Sequence, residues 1–160
     1  MGKRVLITGG NKGIGLFIIR LFLEKGDEAV VVARDFKDFE FKGDKRVTTV
    51  SYDLSRVEGI PELVNQIGDI DILINNAGVS SGLRAEEYTE EKRIYITNLD
   101  LAAPIALVTN YLPRFKAKGE GRVVNIASQA GVFGHYDVWY GALKAGLINA
   151  TKTFAGVYGR

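Results

Sequence analysis

The stretch Val5-Leu6-Ile7-Thr8-Gly9-Gly10-Asn11-Lys12-Gly13-Ile14-Gly15 decides the architecture, because it sets a glycine-rich turn between a run of apolar strand formers and a helical pattern rich in Leu, Ile and Phe. Glycines in such a turn permit positive φ and close backbone approach. The helix that follows offers free N–H groups and the positive end of its dipole to a pyrophosphate. The spacing Gly9-x-x-x-Gly13-x-Gly15, preceded by Thr8, reads as a dinucleotide loop opening an α/β fold. Its plain alternative is a tight turn without a ligand.

Outward from the loop, apolar runs rich in β-branched residues recur at Arg4 to Ile7, Glu28 to Ala33, Arg46 to Tyr52, Asp71 to Asn75 and Arg122 to Ala127. Helical patterns lie between and after them at Gly13 to Lys25, Val57 to Ile67, Glu86 to Lys118 and Tyr140 to Tyr158. This alternation predicts a Rossmann-type α/β fold: a doubly wound parallel sheet in the order 3-2-1-4-5, in a single domain spanning residues 1–160. The strands read as continuous rather than alternating hydrophobics, as expected where helices cover both faces. Asp35 to Lys45 is polar, dotted with aromatics and barely long enough for a helical crossover, so a reduced helix or an irregular loop is expected there. Glu86 to Lys118 is too long for one ordinary helix and contains Pro104, which predicts a break near Asn98.

With 160 residues the chain fits one core, and its 21 basic and 19 acidic side chains are nearly balanced without a basic run, which argues against nucleic acid as a partner. There are no cysteines, so a disulfide framework and a thiolate metal site are excluded, and no metal is expected. Met1-Gly2-Lys3-Arg4 runs straight into a strand with no signal-like stretch, and no apolar run approaches membrane-spanning length; the chain reads as cytoplasmic, without a membrane partner.

Two basic residues bear on the choice of dinucleotide, Lys12 in the loop and Arg34 at the end of the second strand. An acid about 20 residues past the glycine motif accepts hydrogen bonds from the ribose of NAD, whereas an Arg there pairs with a 2′-phosphate. Asp35 is the rival at the same distance. With the strand ending at Ala33, Arg34 turns first over the ribose, which favours NADP(H) over NAD(H).

Tyr140 and Lys144 stand four apart at the start of the last helical stretch and so share a face. A phenol is a poor acid–base group at neutral pH, and a nearby ammonium favours its phenolate form. Ahead of them, Val124-Asn125-Ile126-Ala127-Ser128 carries Ser128 to the C-terminal edge of a strand, where ligands bind in open α/β sheets.

Thr8-Gly9-x-x-x-Gly13-Ile14-Gly15, Asp53-Leu54, Asn75-Asn76-Ala77-Gly78, Asn98, Ser128 and Tyr140-x-x-x-Lys144 follow one another in the order and spacing of the short-chain dehydrogenase/reductase family, which the chain resembles. The glycine loop resembles that of NADPH-dependent carbonyl reductases, and Lys12 and Arg34 match the two basic positions of NADP(H)-preferring members. The resemblance implies an oxidoreductase that moves a hydride between a nicotinamide and a small carbonyl or alcohol substrate. Tyr140 would be the general acid in reduction and base in oxidation, Lys144 would tune it and hold the nicotinamide ribose, Ser128 would bond the substrate oxygen, and Asn98 would hold a water linking Lys144 to solvent. Gly9, Asn11, Lys12, Gly13, Ile14 and Gly15 would cradle the phosphates. Asp53 and Leu54 would border the adenine, and Asn75, Ala77 and Gly78 would line the cofactor path. Tyr136 and Trp139 are candidate pocket walls, and His135 a further candidate contact or plain loop residue.

Each position also has a structural alternative: Asn98 and Asp53 as helix caps, Asn75 and Asn76 as turn residues, Ser128 as a partner of local backbone groups. Compared with the family, the chain reads as truncated after the Tyr/Lys helix, so the fifth strand is expected to be a sheet edge covered by a second copy, by a separately encoded C-terminal fragment or by a segment lost from this chain. Apolar Ile105, Leu107, Val108, Leu147, Ile148 and Phe154 point to association by the same reasoning. Two functional classes stay open: an oxidoreductase, and a non-catalytic dinucleotide-binding module or one part of a split enzyme.

Overall fold

A computed structural model describes residues 2–159; Met1 and Arg160, on which the readings of the chain's start and stop rest, fall outside them. Strands β1 (Arg4–Thr8), β2 (Glu28–Ala33), β3 (Val47–Ser51), β4 (Ile72–Asn75) and β5 (Arg122–Asn125) form one sheet. Every neighbouring pair is parallel and the order is β3-β2-β1-β4-β5, as the alternation predicts.

Successive strand residues feed opposite faces. Leu6, Val30, Val32 and Leu73 enter a core with helices α2 (Ile60–Ile67) and α4 (Ala103–Lys118), while Val5, Ile7, Val31 and Ile74 enter a second core with α1 (Gly13–Glu24). Both faces are apolar, which is why the strands read as unbroken hydrophobic runs. Between β2 and β3 no helix forms. Phe36, Phe39 and Phe41 pack edge to face with ring centroids 5.4 and 5.9 Å apart, and they close the second core where a crossover helix would otherwise lie.

The long helical stretch is divided differently from the expected break. Residues Ala85–Glu87 form a separate short turn, and α3 (Glu90–Thr97) starts after Thr89, whose hydroxyl accepts the Lys92 N–H. At Asn98 the helix does not stop but widens into a π-turn, Asn98–Ala102, closed by the Ala103 N–H on the Asn98 carbonyl, and then continues as α4. Pro104 lies at the start of α4, so the wider turn accommodates a ring that would clash with the carbonyl four residues back in a regular helix.

Helix α5 (Val138–Tyr158) starts two residues before Tyr140, capped by Asp137, and reaches the first core through Phe154. Burial corrects one expectation. Leu107, Val108 and Leu147 are each 1% exposed and belong to the interior; only Ile105, Ile148 and Phe154 of the six residues read as uncovered are partly exposed. Among the described residues no helix is long and apolar enough to cross a membrane.

Candidate functional site

The C-terminal ends of the central strands form the floor of the site. Thr8, at the end of β1, accepts the N–H groups of Asn76 and Ala77 on its hydroxyl, both at 3.0 Å. The Asn76 amide then donates to the carbonyls of Thr8 and Gly9 at 3.0 and 3.1 Å. This clamp fastens the loop after β4 to the glycine turn, and Asn76 was not singled out in the sequence for a role of its own. Gly9 has a φ of 65° and Gly13 one of 56°, and a Cβ on Gly15 would lie 2.6 Å from both Asn76 Nδ2 and the Gly9 carbonyl. Above Gly13, by contrast, a Cβ would meet nothing within 4 Å. The turn is packed from below and open above, which fits a dinucleotide pyrophosphate at the α1 N-terminus. Ile14 on the first turn of α1 is 65% exposed, an apolar side chain free to cover a ligand.

Lys12 and Arg34 are both exposed at this mouth. Arg34 donates to the Tyr95 hydroxyl at 3.1 Å, and Asn11 reaches across from the glycine turn to the Asp35 carbonyl, also at 3.1 Å. The Asp35 carboxylate faces its own turn, 3.5 Å from the Lys37 N–H.

Across the sheet edge, Ser128 follows β5 and its hydroxyl accepts the Ala130 N–H at 3.1 Å, opening a short turn through Gly131. That turn is pressed against α5: a Cβ on Gly131 would sit 2.6 Å from the Ala145 nitrogen. Only glycine allows this close approach of the turn after Ser128 to the α5 backbone at Lys144 and Ala145. The Lys144 Nζ lies 5.6 Å from the Tyr140 ring centroid, and His135 meets the same ring edge-on at 5.9 Å. Tyr140 and Lys144 thus lie together on α5, with Lys144 only 4% exposed, and the turn that Ser128 opens packs against the same helix.

Two acids missing from the sequence reading organise this region. Asp100, in the π-turn, is fully buried with its carboxylate 2.9 Å from Lys144 Nζ, and it also accepts the Val79 N–H. Burial pushes its pKa above the ordinary carboxylate value, against the opposing pull of the Lys144 ammonium. Gly78 leaves the room for this pair, since a Cβ there would fall 2.6 Å from Asp100 Oδ1 and 3.0 Å from Lys144 Nζ. Asp137 is also fully buried. It accepts the N–H groups of Tyr140 (3.1 Å) and Gly82 (3.1 Å) and the hydroxyls of Tyr88 (2.7 Å) and Ser80 (3.3 Å), tying the start of α5 to the loop after β4. An Asp three residues before a helical Tyr is a legible cap signal; its burial is not.

Burial alone presses the Asp137 pKa upward, but these hydrogen bonds outweigh it and hold the carboxyl below its ordinary value. A group depressed in this way contributes stability that is present above its unfolded pKa and is lost as pH falls through the folded one. Asp137→Asn is therefore expected to lower stability by about 1–3 kcal/mol at neutral pH, with the deficit shrinking in strong acid. Thermal unfolding of both proteins at pH 7 and in strong acid measures this, and an equal deficit at both would contradict it.

Other site candidates are engaged elsewhere. Asn98 donates its amide to the Ser55 carbonyl at 2.9 Å, so Asp100 rather than Asn98 is the π-turn residue that meets Lys144. Asn75 is buried and donates to Asn125 Oδ1 at 2.8 Å. Asp53 closes a local turn onto the Ser55 N–H and hydroxyl, and Leu54 packs in the first core. Tyr136 is exposed, whereas Trp139 is half-buried beside Tyr88 and the Arg93 guanidinium. A cavity of about 860 Å³ lies away from this chemistry along the open edge of β5, between Phe115 and Phe154, and contains none of Ser128, Tyr140 or Lys144.

Comparison with known proteins gives a consistent picture. The short chain dehydrogenase family model matches residues 3–160. The chain is 34% identical over 159 residues to the ketoacyl reductase HetN of Nostoc sp., a match covering 92% of this chain and 55% of that protein. It is 32% identical to the 3-oxoacyl-[acyl-carrier-protein] reductase FabG of Thermotoga maritima, covering 96% and 67%. Among solved structures, 4-hydroxyisoleucine dehydrogenase complexed with NADH superimposes with a TM-score of 0.91 at 29% identity, over 99% of this chain and 70% of that one. A metagenomic short-chain oxidoreductase in complex with NADP gives 0.89 at 28% identity, over 97% and 75%. The chain thus spans between about half and three quarters of the length of these relatives.

Proposed function

The chain belongs to the short-chain dehydrogenase family, and we propose that it is an NADP(H)-dependent oxidoreductase acting on a carbonyl or alcohol substrate, with Tyr140 as general acid and base. The observation that carries this reading is the packing of the turn opened by Ser128 against the helix that bears Tyr140 and the buried Lys144, beyond the strand ends where the glycine turn lies open. The nicotinamide, when bound, supplies or accepts the hydride.

This chain's own groups do the rest. In reduction the Tyr140 hydroxyl gives its proton to the carbonyl oxygen as negative charge develops there, and in oxidation it takes that proton back. The Ser128 hydroxyl, whose oxygen already accepts the Ala130 N–H, keeps its own proton to donate to the substrate oxygen. Lys144 bears its charge beside the Tyr140 ring and retains donors for the ribose of the cofactor. The water-holding role of Asn98 belongs to the same proposal.

For the dinucleotide, the exposed Lys12 and Arg34 favour a 2′-phosphate, while the Asp35 carboxylate faces its own turn. Arg34→Ala is expected to weaken NADPH binding by about 1.5–3 kcal/mol, the size of one charge-assisted hydrogen bond, and to leave NADH nearly unchanged. Calorimetric titration of both cofactors checks this; equal losses would assign Arg34 to the fold instead. The reading as a whole is tested by NADPH oxidation with a panel of aldehydes and ketones, in which a 3-oxoacyl thioester is included because relatives are named ketoacyl reductases. Binding without turnover on every substrate would select the non-catalytic module.

A further inference from the structure

We propose that Asp100 is a positioning residue for Lys144, its carboxylate holding the ammonium beneath Tyr140 at the bottom of the site. The proposal rests on the oxidoreductase reading for its purpose but not for its geometry. Lys144 enters the interior from α5 and is 4% exposed, where an ammonium without a partner is strongly disfavoured. Besides the Tyr140 ring at 5.6 Å, its two recorded partners are Asp100 at 2.9 Å and the Ile126 carbonyl at 3.4 Å. The carbonyl is the longer and uncharged contact, so Asp100 fixes where Nζ rests.

Asp100 is itself held from two sides. The π-turn sets its backbone between α3 and α4, and the Val79 N–H lies 3.2 and 3.1 Å from its two oxygens. Val79 directly follows Gly78, the residue whose missing side chain leaves room for the pair. One carboxylate thereby links the loop after β4, the widened helix and the Tyr/Lys helix. With one ammonium proton turned to Asp100 and one toward Ile126, the third is left for the ribose or the Tyr140 oxygen.

The test uses the whole chain with lysine isotopically labelled at Nζ. The Lys144 ammonium resonance is assigned by its loss in Lys144→Met, and its proton exchange with water is compared in wild type and Asp100→Asn, a near-isosteric change that keeps an oxygen for the Val79 N–H. Removal of the charged acceptor is expected to speed exchange by about tenfold or more and to weaken NADPH binding by a similar factor. Unchanged exchange in a folded Asp100→Asn protein would overturn the proposal. If Asp100→Asn does not fold, Asp100→Asn/Lys144→Met decides: recovery of the fold identifies the stranded ammonium as the fault and supports the pairing, and failure to recover assigns Asp100 to Val79 and the π-turn and refutes it. The exchange readout needs no turnover. An inactive chain with a protected Lys144 would therefore count against the oxidoreductase reading alone, and an active chain with an unprotected one against this proposal alone.

Discussion

Tyr140→Phe is expected to lower carbonyl reduction by at least about a hundredfold, a barrier increase near 2.7 kcal/mol, while NADPH binding stays close to normal. The substitution removes one hydroxyl and almost no volume. The ring keeps its edge-on contact with His135 and its place over Lys144, so the helix turn has no reason to move. What is lost is the proton delivered to the developing alkoxide, an interaction that strengthens in the transition state and should therefore appear in kcat rather than in ground-state affinity. Single-turnover rates beside calorimetric binding measure the two effects separately. A variant retaining within about tenfold of the wild-type rate, about 1.4 kcal/mol, would remove Tyr140 from the role of proton donor.

Lys144→Ala is expected to damage cofactor binding, chemistry and the fold together. Deleting the ammonium strands the fully buried Asp100 carboxylate, and breaking a buried ion pair on one side costs about 3 kcal/mol or more of stability. The pH dependence has a definite sign. Burial already lifts the Asp100 pKa in the folded chain, with Lys144 pulling the other way, so loss of Lys144 raises it further. A carboxyl whose folded pKa exceeds its unfolded one takes up its proton more readily when folded; the penalty is full above the folded pKa and is relieved as pH falls through it. Thermal unfolding of Lys144→Ala should thus show its largest deficit at neutral and alkaline pH and a smaller one in mild acid. A deficit independent of pH would mean that the lost packing of the lysine stem, and not the stranded charge, is responsible.

The contrast between these two substitutions marks what was legible in the sequence. The sheet and its order follow from local signals, namely apolar β-branched runs and a glycine turn at the head of an α/β pattern, and Tyr140, Lys144 and Ser128 are legible as candidates from their place at the ends of those elements and from the family resemblance. Asp100 and Asp137 were not legible in the same way. Each is a single acid in a helical or loop pattern, where most acids are solvated, and its burial arises from elements 20 to 60 residues distant: Val79 and Lys144 for Asp100, Ser80 and Tyr88 for Asp137. The π-turn is similar. A proline announces that the helix must change near Asn98 but not whether it breaks or widens, and the acid carried by the widened turn meets Lys144 on α5. Leu107, Val108 and Leu147 show the opposite error, since an apolar helix face gives no sign from its residues alone of whether a sheet or a partner will cover it.

Hydride chemistry at this sheet edge, rather than mere nucleotide binding, is the proposal on which the rest depends. Incubating the chain with NADPH deuterated at the reactive nicotinamide carbon and a panel of ketones, then examining the alcohols formed, tests that claim most directly. Deuterium is expected on the carbinol carbon with wild type and should be nearly absent with Tyr140→Phe, although both proteins bind NADPH. Tight NADPH binding with no deuterium in any alcohol, or equal labelling by wild type and Tyr140→Phe, would contradict it.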